Sequence, residues 1–341
     1  MGIVMAEATM KAVVMTAKGG PEVLKIAEVP LGWPRGPHDV LVRLKAAGIN
    51  PADLYFRETG TYLDSDRPRI LGSDGAGVVE EVGAEVRSII PGEEVAFCYG
   101  GLGGDPGTYA EFAIVPAHSI ARKPKSISFV EAAAAPLVTI TCCEALYQRA
   151  NLAEGETCLI HAGAGGTGHV AIQLAKLRGA RVATTVSGPD KAAFVAGLGA
   201  DHVIDYNKQD VVEAVRAWTG GTGVDVALDN VGSEVLRQTF RAMAPYGRVV
   251  TLIEMTGDTE AGDAYNMNLT VHAVMMLTPM WLGLDERVAQ QGGIVHKGME
   301  LMADGRLKVK VAETFPLAAA GHAHERLAKG GMIGKIALEI G

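Results

Sequence analysis

The sequence predicts an α/β protein of two domains, one a barrel-like β domain and the other a doubly wound parallel sheet. Three observations predict it. Gly163-Ala164-Gly165-Gly166-Thr167-Gly168 follows a short apolar run, 158–160, and precedes Val170, Leu174 and Leu177 at helical spacing. From 180 to 253 strand-like and helix-like segments alternate, which implies a parallel sheet covered on both faces. Before 128 the strand-like runs are short and separated by glycine and proline, as in a barrel. At 341 residues the chain is long enough for two domains.

In order, residues 1–9 read as a loose leader, 11–15 and 40–44 as strands, and 30–37 as a turn-rich connection between them. The segment 54–62 is polar and aromatic. Glycine-rich turns lead into strands near 70–82 and 91–97, and 100–107 is a flexible loop before a strand at 109–115. Ser128-Phe129-Val130-Glu131 has capping-box spacing, so a helix starts there and the domain changes with it. The alternating half holds strands at 158–160, 180–186, 202–206, 224–229, 247–253 and 271–277, with helices near 190–198, 209–218 and 234–243. The tail offers a helix at 285–303, a strand at 308–311, a helix at 317–328 and a strand at 335–340. It breaks the alternation, so it returns to the first domain.

Apolar residues make up 48% of the chain and charged residues 21%, enough for a sizeable core. A formal charge of −8 argues against nucleic acid or an anionic membrane surface as partner. Cys98, Cys142, Cys143 and Cys158 form no CxxC pair and no disulfide framework, which fits a reducing cytoplasm. No signal peptide is read at the N-terminus, and no apolar run approaches the roughly 18 residues of a bilayer span. A soluble, cytoplasmic protein is expected.

Strand, glycine turn and helix together form a dinucleotide fingerprint. The first glycine is expected to make the tight turn, the second to admit a pyrophosphate, and the third to let helix pack on strand. The helix then meets the phosphates with free N–H groups and the positive end of its dipole. An NAD site expects Asp or Glu at the end of the next strand; here stand Ser187 and, close behind, Lys191, which suits a 2′-phosphate. NADPH is favoured over NADH, with Asp190 the alternative ribose partner.

Ala47-Gly48-Ile49-Asn50-Pro51-Ala52-Asp53, Gly72-Ser73-Asp74-Gly75-Ala76-Gly77, the stretch His161 to Gly168 and the ending Gly334-Lys335-Ile336 coincide with one family. The chain resembles the medium-chain dehydrogenase/reductase superfamily, in its zinc-free, zeta-crystallin-like quinone-oxidoreductase branch, over nearly its whole length. The resemblance implies a GroES-like β-barrel catalytic domain, 1–128 and 278–341, and a Rossmann domain, 129–277. Zinc-dependent relatives carry Cys, His and Cys as ligands; the matching positions here are Asn50, Ser73 and Pro136, none a thiolate or imidazole. The resemblance adds Thr141 near the nicotinamide, Tyr206 by the 2′-phosphate with Lys329 or Lys335, and Asn50 and Tyr55 beside the reacting ring. A tyrosine about where Tyr62 falls serves enoyl-reductase relatives.

Without a Lewis acid, the acceptor has to take hydride readily by itself, as quinones and α,β-unsaturated carbonyls do. Hydrogen-bond donors then hold the oxyanion, and Asn50, Tyr55 and Tyr62 are the candidates. Asp53 is expected to anchor backbone, and Cys142 and Cys143 to be core. Asn230, at a strand's C-terminal end, is expected to line the nicotinamide side; Ala164, Gly166 and Thr167 complete the cradle. The expected assembly is a homodimer through the edge strand 271–277, with 280–282 a pocket wall. The expected activity is NADPH-dependent reduction of a quinone or enone without a metal. The alternatives are a 2-enoyl thioester reductase, and a zinc-type alcohol dehydrogenase homologue that binds NADPH without turnover.

Overall fold

The computed structural model describes residues 8–32, 36–64, 66–255 and 262–341. Most of the expected leader, and the middle of the 30–37 connection, lie outside them. The chain separates into two units: Met1–Leu137, Leu277–Gly305 and Val309–Gly341 form one, Val138–Met276 and Arg306–Lys308 the other.

In the first unit β1 (Thr9–Met15) and β2 (Leu24–Pro30) pair as an antiparallel ribbon. β3 (Asp39–Ile49), β4 (Asp74–Val82), β5 (Glu94–Cys98), β6 (Phe112–Pro116) and β7 (Ile120–Arg122) build the larger sheet. β3 is its spine: β4 runs antiparallel to 40–48, while β6 pairs with 39–43. β2 and β7 escape sequence reading: only Val29 of β2 is buried, and β7 has three residues. The aromatic segment after Asn50 is the helix Pro51–Thr59.

The helix Phe129–Ala134 opens as its capping box requires: Glu131 N–H donates to Ser128 Oγ at 3.2 Å, and Ser128 N–H to Glu131 Oε2 at 3.0 Å. It belongs to the first unit, not the second as expected, because its alanine face packs on β3 and β4. The approach is so close that a Cβ on Gly48 would lie 2.4 Å from Ala133 O. The helical run from there, Phe129–Arg149, corrects the expectation about apolar runs. By length and composition alone its 21 residues could cross a bilayer, but 67% of its apolar window is buried in the protein, as in a core helix.

The second unit's sheet uses β8 (Thr157–Ile160), β9 (Arg181–Val186), β10 (His202–Asp205), β11 (Val224–Asp229), β12 (Met243–Thr251) and β13 (Thr270–Ala273), all parallel. Their order is β10-β9-β8-β11-β12-β13. Counted from β8, that is 3-2-1-4-5-6, the doubly wound order of dinucleotide-binding sheets, with its switch point between β8 and β11. Leu159, Ala183, Ile204, Ala227 and Val249 form one apolar layer under Val215, Leu236 and Phe240 of the covering helices. β13 is shorter than the expected 271–277, since pairing with β12 ends at Ala273.

The tail supplies β14 (Val311–Pro316) and β15 (Lys335–Glu339) to the first unit. β15 runs antiparallel to β3, with Ile336 opposite Ile49. The strand expected at 308–311 begins only at Val311, because Lys308 belongs to the second unit. There Gln173 Nε2 donates to Lys308 O at 2.9 Å, and Lys308 N–H donates to Gln173 Oε1 at 2.8 Å.

Gly48→Ala tests this packing. With Ala133 O at 2.4 Å and Asp74 Cβ at 2.9 Å, the added methyl displaces helix from sheet. The expected cost is about 1–3 kcal/mol, read as a lower denaturant midpoint; an unchanged midpoint contradicts the contact.

Candidate active site

The cradle of the second unit is built on one carbonyl. Gly165 N–H donates to Ala162 O at 2.9 Å, and a Cβ on Gly168 would lie 2.3 Å from that same oxygen. The left-handed turn falls on Ala162, φ 50°, and not on the first glycine as expected. Gly163 is glycine for a different reason: its Cβ would sit 2.0 Å from Thr184 Oγ1 on β9. At Gly165 the chain itself leaves room, with only Ala162 O within 4 Å, at 3.2 Å. Its missing side chain leaves bare backbone where a pyrophosphate can approach. Gly166 and Thr167 then open the twelve-residue helix Gly166–Leu177, whose first N–H groups have no intrahelical acceptor. Ala164 is buried beside them.

Around the cradle, Ser187, Lys191 and Tyr206 meet in one corner. Lys191 Nζ donates to Ser187 Oγ at 2.8 Å, and Tyr206 N–H donates to Val186 O at 3.1 Å at the ends of β9 and β10. Tyr206 is half exposed. Across the switch point, Asn230 Nδ2 donates to His161 O at 2.8 Å, while Asn230 Oδ1 is buried with no partner among the described residues. An orphaned buried acceptor costs about 1–3 kcal/mol unless a ligand donor meets it. Bare glycine backbone, a cation at the end of β9 and this orphan acceptor fit a nicotinamide dinucleotide. Thr141 is buried on the helix Pro136–Cys143, and Cys142 Sγ donates to Thr167 O at 3.4 Å. Cys142 is buried and Cys143 half-buried, and burial pushes both thiols up, that of Cys143 to about 12.

His161, just before the glycines, is a buried support whose role the sequence alone does not signal. Thr239 gives its hydroxyl hydrogen to Val235 O, so at 2.9 Å it accepts from His161 Nε2; Nδ1 faces Thr185 Oγ1 at 3.3 Å. Burial pushes His161 down to about 4, and it is neutral at pH 7.

In the first unit, Asn50 caps the helix Pro51–Thr59. Asp53 accepts Asn50 N–H at 2.8 Å and Gly72 N–H at 3.1 Å, so it anchors backbone as expected; burial pushes it up to about 7. Asn50 Nδ2 donates to Asp74 Oδ2 at 2.9 Å, and Lys335 Nζ donates to Asn50 Oδ1. Lys335, expected at a 2′-phosphate, has a different setting: it is 4% exposed, with its ammonium 3.8 Å from Asp74 Oδ2. Burial pushes lysine and carboxyl toward neutrality, and each one's charge opposes the shift of the other. Ser73 Oγ donates to Gly100 O at 2.8 Å. Tyr62 stacks on Trp281 at 4.6 Å and meets Phe56 edge-on at 5.0 Å, while Tyr55 on the same helix as Phe56 is half exposed. Sequence reading missed the Lys335–Asn50 contact and the Tyr62–Trp281 stack, which join residues far apart in the chain. Among the described residues, no three His, Cys, Asp or Glu side chains group to hold a metal ion.

Residues 36–125 match the alcohol dehydrogenase GroES-like domain, and 198–338 the zinc-binding dehydrogenase family. A quinone oxidoreductase of Pseudomonas aeruginosa is 33% identical over 322 residues, covering 93% of this chain and 96% of its own. A 2-haloacrylate reductase of a Burkholderia species is 33% identical over 337 residues, covering 96% and 98%. Among solved structures, an NAD-dependent alcohol dehydrogenase superposes with TM-score 0.87 at 32% identity, covering 97% of this chain and 100% of its own. A mycobacterial protein complexed with NADPH gives 0.84 at 29%, again covering 97% and 100%.

The buried imidazole makes a pH prediction. An unfolded chain protonates His161 near 6.5, while the folded one resists to about 4, so its share of stability is full above 6.5 and lost as pH falls toward 4. Thermal unfolding by circular dichroism is expected to show a midpoint falling through that window, with a shallower fall in His161→Gln. Equal slopes would count against a buried neutral imidazole.

Proposed function

We propose, from the premise that the chain belongs to the quinone-oxidoreductase branch of the medium-chain dehydrogenase/reductase superfamily, that it reduces a quinone or an α,β-unsaturated carbonyl with NADPH and without a metal. The observation that carries the cofactor choice is the Lys191–Ser187 contact at the end of β9, where a ribose-binding carboxylate would stand in an NAD site. The NADPH bound by one structural relative supports it, and the alcohol dehydrogenase relative that uses NAD makes it worth measuring.

The dinucleotide, when bound, supplies a hydride. Gly165 would admit its pyrophosphate, with Gly163 and Gly168 shaping the turn around it, the helix start at Gly166 and Thr167 would meet the negative charge, and Asn230 Oδ1 would receive a ligand donor. Thr141 and Ala164 close the cradle. A hydride added to an electron-poor carbon would leave negative charge on the acceptor's oxygen. Asn50, Tyr55 and Tyr62 are the donors assigned to that oxygen, each worth about 3 kcal/mol in a dry site. The proton that completes the reduction comes from Tyr55, Tyr62 or solvent. Zinc does not fit the positions its relatives use: Asn50 meets an ammonium, Ser73 is bound to a carbonyl and Pro136 has no ligand atom on its side chain. The acceptor therefore brings its own electrophilicity.

The first experiment follows NADPH oxidation with 1,4-benzoquinone, 2-alkenals, 2-haloacrylate and crotonyl-CoA. Turnover with the first three groups, undiminished by chelator, is expected; stoichiometric zinc with loss of activity on chelation would falsify the reading. Preference for crotonyl-CoA favours the thioester alternative, and tight NADPH binding with no turnover favours a binding protein. Lys191→Ala is expected to lower kcat/KM for NADPH about 10–100-fold, the worth of a charge-assisted hydrogen bond, and to leave NADH unchanged. Equal losses with both cofactors argue against a 2′-phosphate site.

The proposed assembly is a cytoplasmic homodimer paired through β13, the outermost strand of its sheet. Analytical ultracentrifugation is expected to find twice the chain mass, and a monomer after Val271→Pro, which removes a ladder donor. A monomeric parent sinks the dimer.

A further inference from the structure

Lys335 is a charged side chain that the proposed chemistry leaves without work. Its place is set by backbone. Gly334 takes φ +92° and has Lys310 O 2.2 Å from where a Cβ would be, and Lys335 N–H donates to Lys310 O at 2.8 Å. The register of β15 on β3 pairs Ile336 with Ile49, which brings Lys335 opposite Asn50. The three side chains that meet there are all buried: Lys335 at 4%, Asn50 at 1% and Asp74 at 0% exposure.

The contacts determine how the Asn50 amide must sit. Lys335 Nζ can only donate, and it donates to Oδ1. Asp74 Oδ2 accepts from Nδ2 at 2.9 Å, and Asp74 Oδ1 is occupied by Leu137 N–H at 2.7 Å. Turning the amide over would set its NH2 against the ammonium and its oxygen against the carboxylate, two repulsions in a buried site. The upright amide keeps one Nδ2–H beyond the one given to Asp74. The backbone N–H of Asn50 is held by Asp53, so neither end of the residue is free to drift.

We propose that Lys335 is a positioning residue for hydride transfer: a built-in cation that fixes the Asn50 amide with nitrogen, not oxygen, toward the reacting oxyanion. This rests on the reading of Asn50 as an oxyanion donor. A buried ion pair of this kind need not stabilise the fold to be useful, since its directional contacts select one orientation. Lys335 neither meets the acceptor nor binds the 2′-phosphate; it acts through Asn50.

The test measures steady-state kcat and KM with NADPH and benzoquinone, NADPH and NADH affinities by fluorescence titration, and folding by circular dichroism. Lys335→Met is expected to lower kcat about 10–100-fold, as misoriented groups do, with KM and both cofactor affinities within threefold. Lys335→Arg recovers part of the loss because the cation remains. Asn50→Ala loses as much, and Asn50→Ala with Lys335→Met loses no more than either alone. If Lys335→Met does not fold, the uncharged pair Lys335→Gln with Asp74→Asn replaces it, with the same fall in kcat expected. A kcat within twofold of the parent in either variant overturns the proposal, as does a double variant whose losses multiply. Selective loss of NADPH over NADH affinity overturns it too, by assigning Lys335 to the phosphate. A parent protein without turnover sinks the functional reading and this proposal together, whereas an active parent with an indifferent Lys335 sinks this proposal alone.

Discussion

A buried ammonium must be met by oxygen atoms on every side it can reach, and much of the first unit is arranged around meeting Lys335. Its burial demands Asp74, and the amide of Asn50 lies between them. Asn50 in turn needs a fixed helix start, which Asp53 supplies by taking its N–H and that of Gly72. The network continues outward. Arg57 can only donate to His324 Nδ1, at 3.2 Å, so the neutral ring carries its hydrogen on Nε2 and gives it to Tyr109 Oη at 3.1 Å. The Tyr109 hydroxyl is then left to donate to Asp53. Each member is satisfied by the next, and that is the condition under which a buried polar chain specifies one conformation.

The second unit is organised by a single backbone oxygen, with no charge involved. Ala162 O caps the turn through Gly165 and stands where Gly168 would need a side chain. That oxygen excludes a side chain at Gly168, whereas Gly163 is required by Thr184 on the neighbouring strand. Parallel strands make this possible: the strand ends gather on one edge, and the reversal of strand order between β8 and β11 leaves a crevice with Asn230 on one side and the glycines on the other.

Local sequence carried those features whose cause is local. The capping box at Ser128 and the turn from Ala162 to Gly165 and Gly168 rest on residues within one or two turns of each other. The first unit runs on to Leu137, past the capping box where the sequence places the change, because the alanine face of 129–134 packs on β3 and β4 where Gly48 leaves room. Lys335 is expected, with Lys329, by the 2′-phosphate because nothing in Gly334-Lys335-Ile336 announces burial; its contact with Asn50, 285 residues away, does. In the glycine fingerprint the left-handed residue is Ala162 and not the first glycine, whose missing side chain is required by Thr184 Oγ1 on β9.

One of the matching families is described as zinc-binding, and the chemistry of the donor positions argues against carrying that property over. Zinc stabilises a developing oxyanion as a Lewis acid with two charges and an open coordination position. An ammonium has one charge and three directed hydrogens, and here it is enclosed at 4% exposure with Asn50 and Asp74 against it. Such a group can orient a neighbouring amide but cannot acidify an alcohol held at coordination distance. A fold that exchanges the first kind of cation for the second keeps the hydride donor and loses the means to activate poor acceptors. The range of substrates open to it then narrows to those that delocalise the incoming charge themselves, as quinones and conjugated carbonyls do.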